Sequence, residues 1–302
     1  MIILYGIENN AIDITQICLT ELRHNNIIII PSGDHNRAIY FTDPLPGILK
    51  SIFIINETLN ESIWYDVTCS IKINIIDNTI TTTSTNDPEL NNKIKNIHSN
   101  LQIKYGSFNE ELPEQLMAVR YLNGNEKVLE IGGNIGRNSL VIAEILKNNN
   151  NNFVTLECDS QIAVQLTENR DLNNFNFHIE NSALSNRKLI QCGWNTIPSD
   201  TLQDGYNWVK TISLNELQTK YNIEFDTLVL DCEGAFYYIL RDMPEILNNI
   251  NLIIMENDYT NITHKQYIDT VLTKHNFYRD YVEHLWWGGM PCSHNFFEVW
   301  KL

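Results

Sequence analysis

The chain is short of positive charge: 21 Lys and Arg stand against 37 Asp and Glu over 302 residues, a formal net charge of −16 at pH 7. Binding a phosphate backbone needs clustered cations to displace counterions, and no basic run occurs, so nucleic acid is not an expected partner. Cysteine is equally uninformative as a framework. The six thiols, at 18, 69, 158, 192, 232 and 292, contain no Cys-x-x-Cys pair, which argues against a zinc ribbon and a disulfide scaffold and leaves buried free thiols. Long apolar runs are also missing. Stretches such as Ile27 to Ile30 fall far below the ~18 residues of a membrane-spanning helix, and no basic patch, apolar stretch and small-residue cleavage site open the chain. A membrane partner is not expected, and a cytoplasmic location is.

What is present is enough apolar sequence, 43%, for a sizeable core in one large domain or two. Before residue 86, short strand-like runs (1–5, 26–31, 38–42, 48–55, 62–69 and 71–76) alternate with Ser-Gly-Asp, Asp-Pro and Asn-Glu-Thr turns, which predicts a small β-rich domain over 1–86. His24 and His35 there read as solvated loop residues. After a Thr-rich linker at 79–85, helices are expected at 87–99 and 111–122, the second with Pro113 in its first turn, where a missing N–H costs little. They form a connector over 87–122, capping the cofactor side of the sheet. The segment Tyr105-Gly-Ser-Phe108 between them reads as a helix connection or as a lid loop. The tract Asn148 to Asn152 reads as polar loop padding.

From 123 to 302 the pattern alternates. Strands at 127–131, 153–157, 176–179, 225–230 and 251–255 are interleaved with helices at 138–147, 160–169, 213–220, 236–248 and 263–274, with a hairpin-like region at 187–194. Two closing strands, 277–283 and 295–301, follow. The fold class expected is α/β: a Rossmann-like, mainly parallel sheet ending in an antiparallel hairpin, the class I methyltransferase topology, preceded by the β-rich domain.

The richest stretch is Val128-Leu-Glu-Ile-Gly-Gly-Asn-Ile-Gly-Arg-Asn-Ser139, an apolar strand running into a glycine turn and then a helix. A dinucleotide fingerprint would place glycines at G-x-G-x-x-G. Here Asn134 and Arg137 occupy the second and third of those positions. The spacing instead offers Gly132 and Gly136 for close backbone approach, Glu130 to face a methionine ammonium, Asn134 in the turn, and Asn138 and Ser139 opening the helix. Glu157, ending the next strand, can accept both ribose hydroxyls. The cofactor expected is S-adenosylmethionine.

Three motifs between about 127 and 256 carry a resemblance to a known family. Glu130-Ile-Gly-Gly-Asn-Ile-Gly136 with Ser139, Asn181-Ser-Ala-Leu-Ser-Asn186, and Leu228-Val-Leu-Asp-Cys-Glu-Gly-Ala235 are similar in order and spacing to those of the FkbM family of S-adenosylmethionine-dependent O-methyltransferases. Gly133 stands where that family usually has Ala, Val229-Leu230 where it has a basic residue, and Phe236 where it has an acid. The resemblance implies that Ser182 and Ala183 frame the adenine and that a hydroxyl is the methyl acceptor.

In this topology the residues after the fourth and fifth strands face the methyl group, so Asp231 and Glu233 are the catalytic candidates, with Glu256, Asn257 and Asp258 beside them. Two routes stay open. Asp231, Glu256 and Asn257 hold a magnesium ion that chelates a diol, in the manner of catechol methyltransferases, or His284 or His294 in the closing hairpin is the general base. The Glu256-Asn-Asp run also reads as a polar helix cap ahead of Thr260. Trp286 and Trp287 suit a saccharide or nucleotide-sugar acceptor or cover the sheet edge. A silent cofactor-binding scaffold and a nicotinamide oxidoreductase are the rival functions, and the N-terminal domain is open to substrate recruitment or homo-oligomer formation.

Overall fold

The computed structural model describes residues 1–56, 61–84, 87–283 and 291–302. They divide into two compact units. One holds the chain up to Asp87 together with Tyr278–Glu283 and Ser293–Glu298, and the other holds the chain from Pro88 to Phe277 with Pro291, Cys292 and the last four residues. Helices α3 and α4, expected as a separate connector, group with the second unit.

The first unit contains β1 (Ile2–Ile7), β2 (Asn10–Asp13), α1 (Thr15–Glu21), β3 (Arg23–His24), β4 (Ile27–Ile30), α2 (Asp34–Phe41), β5 (Ser51–Asn56), β6 (Glu61–Tyr65), β7 (Cys69–Asn74) and β8 (Ile80–Ser84). Two antiparallel sheets run in the orders β2-β1-β5-β6 and β3-β4-β7-β8. Alternate residues point inward, as a half-buried strand requires. Ile3 and Tyr5, Ile28 and Ile30, Ile52 and Ile54, and Ile71 and Ile73 bury together with Cys18 and Phe41.

Two expectations fail here. Ala38 to Phe41, read as strand from its aromatic and β-branched content, lies in α2. The cause is tertiary: α2 carries Arg37, which is fully buried and donates to the carbonyls of Pro31 (3.0 Å), Asp66 (2.9 Å) and Cys69 (2.7 Å), tying the helix to the chain around it. The Thr-rich stretch taken as a linker forms β8 up to Ser84, with Ile80 opposite Ile73 and Thr82 opposite Ile71, where β-branched residues favour a strand.

The second unit contains α3 (Pro88–Asn100), α4 (Leu112–Tyr121), β9 (Val128–Ile131), α5 (Arg137–Ile145), β10 (Phe153–Leu156), α6 (Ser160–Leu172), β11 (His178–Glu180), β12 (Ala183–Leu184), β13 (Leu189–Cys192), β14 (Asn195–Pro198), β15 (Asn207–Val209), β16 (Thr211–Ile212), α7 (Leu214–Tyr221), β17 (Thr227–Leu230), α8 (Phe236–Asp242), β18 (Leu252–Glu256) and α9 (Ile262–Lys274). β19 (Tyr278–Glu283) and β20 (Phe297–Lys301) follow. The main sheet has the order β11-β10-β9-β17-β18-β20-β19 and ends in an antiparallel hairpin, with the last strand inserted beside β18. This is the Rossmann-like class I methyltransferase order. The strands β9, β10 and β17 are buried at every residue, as expected of a parallel sheet covered on both faces. No helix among the described residues is long and apolar enough to cross a membrane.

Register matters more than order. Leu156, Ile131, Leu230 and Met255 lie opposite one another across β10, β9, β17 and β18. The residues that follow them, Glu157, Gly132, Asp231 and Glu256, therefore come in a row at the carboxyl edge. A separate antiparallel sheet, β14-β13-β15, is built from the 189–209 segment.

Replacing Arg37 by Leu takes the donor from the Pro31, Asp66 and Cys69 carbonyls. Urea unfolding of Arg37→Leu is expected to show a loss of about 3–5 kcal/mol. A loss below about 1 kcal/mol would contradict the role given to this side chain.

Candidate functional site

The glycine turn after β9 is held from below. The N–H groups of Gly132 and Gly133 both donate to the Leu156 carbonyl (3.1 and 2.9 Å), and Gly136 N–H donates to Gly133 O (2.9 Å), which folds the turn over the ends of β9 and β10. Its glycines answer to packing. A Cβ on Gly132, whose φ is +94°, would lie 1.6 Å from the Asp231 carbonyl oxygen, and one on Gly133 would lie 2.2 Å from Thr155 Oγ1. Ala, the residue expected at 133 from the family resemblance, does not fit here.

Beside this turn opens a cavity of about 510 Å³, lined from the turn by Gly132 and Asn134, from the end of β10 by Glu157 and Cys158, and from the segment after β11 by Ser182, Ala183 and Ser185. Its volume is within the range of small-molecule sites. Asp231 and Glu233 after β17, and Asp258, Tyr259 and Thr260 after β18, line it as well. Five of the nine expected cofactor residues (Gly132, Asn134, Glu157, Ser182 and Ala183) and two catalytic candidates (Asp231 and Glu233) thus meet in one space.

Glu157 is oriented by backbone. Its two oxygens accept from Asn134 N–H (2.9 Å) and Asp159 N–H (2.7 Å), and its carbonyl accepts from the Asn181 amide (2.7 Å). Burial raises its carboxyl above the ordinary range against these donors. Asp159 in turn caps α6, accepting from Gln161 and Ile162, so the strand end, the acid and the helix start form one braced corner.

Glu130, Gly136, Asn138 and Ser139 lie outside the cavity wall. Glu130 is 2% exposed and accepts a hydrogen bond from Ser139 Oγ behind the turn, where it braces β9 against α5. Burial pushes its carboxyl up to about 7, opposed by the hydrogen bond from Ser139. The segment 105–108 does not line the cavity either. Asn169 fixes it, accepting from Lys104 and Tyr105 N–H (2.8 and 3.1 Å) and donating to Tyr105 and Ile135 carbonyls (3.1 and 2.8 Å).

Carboxyls crowd the catalytic edge. Helix α4 brings Glu111 and Glu114 toward Asp231, and Arg137 spans Glu110 and Glu111, 2.6 Å from each. Burial first, then the neighbouring acids, raises Asp231 well above the usual carboxylate range. Burial and a hydrogen bond with Glu233 push Asp258 up to about 8, and burial with a hydrogen bond to Glu114 raises Glu256 strongly.

That arrangement does not fit magnesium. Glu256 and Asn257 do not line the cavity, and Asn257 is fully buried. Among the described residues, no three His, Cys, Asp or Glu side chains converge to hold a metal ion. The other route cannot be followed from its expected histidines: His284, with Trp286 and Trp287, and the side chain of His294 lie outside the described residues.

Sequence reading missed part of the wall. The β13–β14 hairpin contributes Leu189, Gln191, Trp194 and Asn195 to Pro198, α8 contributes Tyr238 and Asp242, and α9 contributes His264. A hairpin was legible near 187–194, but nothing local indicated that it folds over the cavity. His264 is placed by the Asn261 cap of α9, which accepts from Thr263 N–H (3.0 Å), and by stacking on Tyr237 (3.7 Å between centroids, 4° between planes).

No protein-family model matches the chain, and no curated protein matches it. Among solved structures the chain is similar to the O-methyltransferase from Bacillus cereus in complex with S-adenosylhomocysteine (14% identity over 71% of this chain and 89% of that one, TM-score 0.39). It is also similar to Aeropyrum pernix fibrillarin with natively bound S-adenosylmethionine (11%, 78% and 94%, TM-score 0.39). A third is the ribosomal protein L11 methylase from Lactobacillus delbrueckii subsp. bulgaricus (12%, 63% and 76%, TM-score 0.38).

Two stability measurements check this geometry. Gly133→Ala should lower the unfolding free energy by about 1–3 kcal/mol, the cost of overpacking, and an unchanged value would contradict the packing role. Glu130 is raised in the folded state, so its contribution is fully present below about pH 4.5 and lost as pH rises through about 7. Between pH 4.5 and 8, Glu130→Gln should therefore gain stability relative to the wild type by about 3 kcal/mol. Parallel profiles would show that folding does not raise Glu130.

Proposed function

We propose that the second unit is an S-adenosylmethionine-dependent methyltransferase acting on a hydroxyl of a small polar acceptor. The observation that carries this reading is Glu157. It lines the cavity at the end of the second strand of the sheet, and each oxygen keeps acceptor capacity beyond its one backbone donor, as two ribose hydroxyls require. Gly132 and Asn134 would then bound the methionine end, and Ser182 and Ala183 the adenine. The hydroxyl as acceptor is supported by the motif resemblance to FkbM enzymes.

When bound, the sulfonium supplies an activated methyl group. The chain's part is alignment and proton removal. Asp231, Glu233 and Asp258 face the same space, and the negative edge they form suits a sulfonium cation. Burial and the hydrogen bond with Glu233 raise Asp258 to about 8, in the range suited to taking a proton from the acceptor near neutrality. No step is assigned to a metal.

Calorimetric titration with S-adenosylhomocysteine and, separately, NAD tests the reading. The homocysteine analogue should bind, and Glu157→Ala should weaken it about 100-fold, the ~3 kcal/mol of charge-assisted hydrogen bonds. Binding of NAD in its place would make the protein a nicotinamide enzyme, and full affinity in the variant would remove Glu157 from the site.

A further inference from the structure

The cavity wall changes character along its length. The turns after β9, β10 and β11 supply the part assigned to the nucleoside. The remainder is walled by Trp194, Ile197 and Pro198 of the β13–β14 hairpin, by Tyr238 of α8, by Tyr259, and by His264 of α9. Trp194 sits at the hairpin tip, beside Gly193 at φ +56°, where Cys192 pairs with Asn195. Its indole is 58% exposed, and Tyr238 is 40% exposed. Such flat apolar surface beside a cavity is costly to leave in water unless something covers it.

These rings are held rigidly. Tyr237 stacks on His264 and packs edge-on against Tyr238 at 5.0 Å, and Tyr238 meets His264 edge-on at 5.5 Å. Hydrogen-bonding side chains line the same cavity: Gln191, Thr196 and Thr260, with Asp231, Glu233 and Asp258. Aromatic faces together with acceptors suit a ring that is apolar on its faces and hydroxylated at its rim.

Charge narrows the ligand further. Among the lining residues described, Arg187 is the one Lys or Arg, and its Nε and Nη2 are engaged by the two oxygens of Asp242. A phosphate or pyrophosphate entering this lobe would meet three acids and, among the described residues, no Lys or Arg without an acid partner, which disfavours it.

We infer that this lobe is the acceptor subsite and that it takes an unphosphorylated saccharide, stacked on Trp194 with its hydroxyls toward Asp231, Glu233 and Asp258. The inference rests on the methyltransferase reading and deepens it by removing nucleotide-sugars from the acceptors.

Saturation-transfer-difference NMR on the full chain loaded with S-adenosylhomocysteine tests it, because the method detects weak ligands. The probes are the methyl α-glycosides of glucose, mannose, rhamnose and glucosamine, with UDP-glucose and catechol as competitors of other chemistry. At least one glycoside should show transfer to its ring protons, and Trp194→Ala, a change at an exposed tip, should weaken it about tenfold while S-adenosylhomocysteine affinity stays within twofold. Silence from every glycoside, a signal that survives in Trp194→Ala, or binding of UDP-glucose or catechol alone would each overturn the inference while leaving the cofactor reading intact. Failure of S-adenosylhomocysteine itself to bind would overturn both.

Discussion

The in-register ending of β10, β9, β17 and β18 is the constraint on which the rest depends. Because Leu156, Ile131, Leu230 and Met255 are neighbours, β10, β9 and β17 end at one level and β18 runs one residue further, to Glu256. Three of the next residues are acids, and the fourth is Gly132, which alone lets the turn pass beneath the Asp231 carbonyl. A one-residue slip of β17 would move Asp231 into a buried strand and a hydrophobic residue to the edge.

The same constraint sets the electrostatics. Carboxyls brought together at a partly buried edge cannot all ionise, so burial and mutual repulsion raise Asp231, Glu256 and Asp258 together. Arg137 relieves Glu110 and Glu111 at the rim. Among the described residues no Lys or Arg pairs with the inner acids, so the edge offers acceptors to a cation and no counter-charge to a phosphate. Glu180 shows the contrast: Lys210, Lys220 and the Tyr221 hydroxyl satisfy it, and its carboxyl falls below the usual range despite burial. It is a structural acid, whereas those at the edge keep their capacity.

Much of this was legible in the residue order. Fully apolar strand runs closed by an acid or a glycine, with helices between, dictate a buried parallel sheet, and Glu157 and Asp231 could be placed at its edge from spacing alone. What stayed hidden was decided by contacts distant in sequence. Ala38 to Phe41 has the composition of a strand but follows Arg37 into a helix because that guanidinium finds three carbonyls elsewhere in the chain. Glu130 looked like a ligand group from its place in the motif, yet Ser139 holds it behind the turn. Trp194 and His264 carry no local mark of a site, since each reaches the cavity only through the packing of a hairpin or a helix start.

A crystal structure of the protein with S-adenosylhomocysteine would test the central claim most directly. The ribose hydroxyls should lie on Glu157, the adenine beside Ser182 and Ala183, and the sulfur should face Asp231 with the Trp194 lobe left open beyond it. A nucleoside bound elsewhere, or a ribose with no contact to Glu157, would contradict methyl transfer at this cavity.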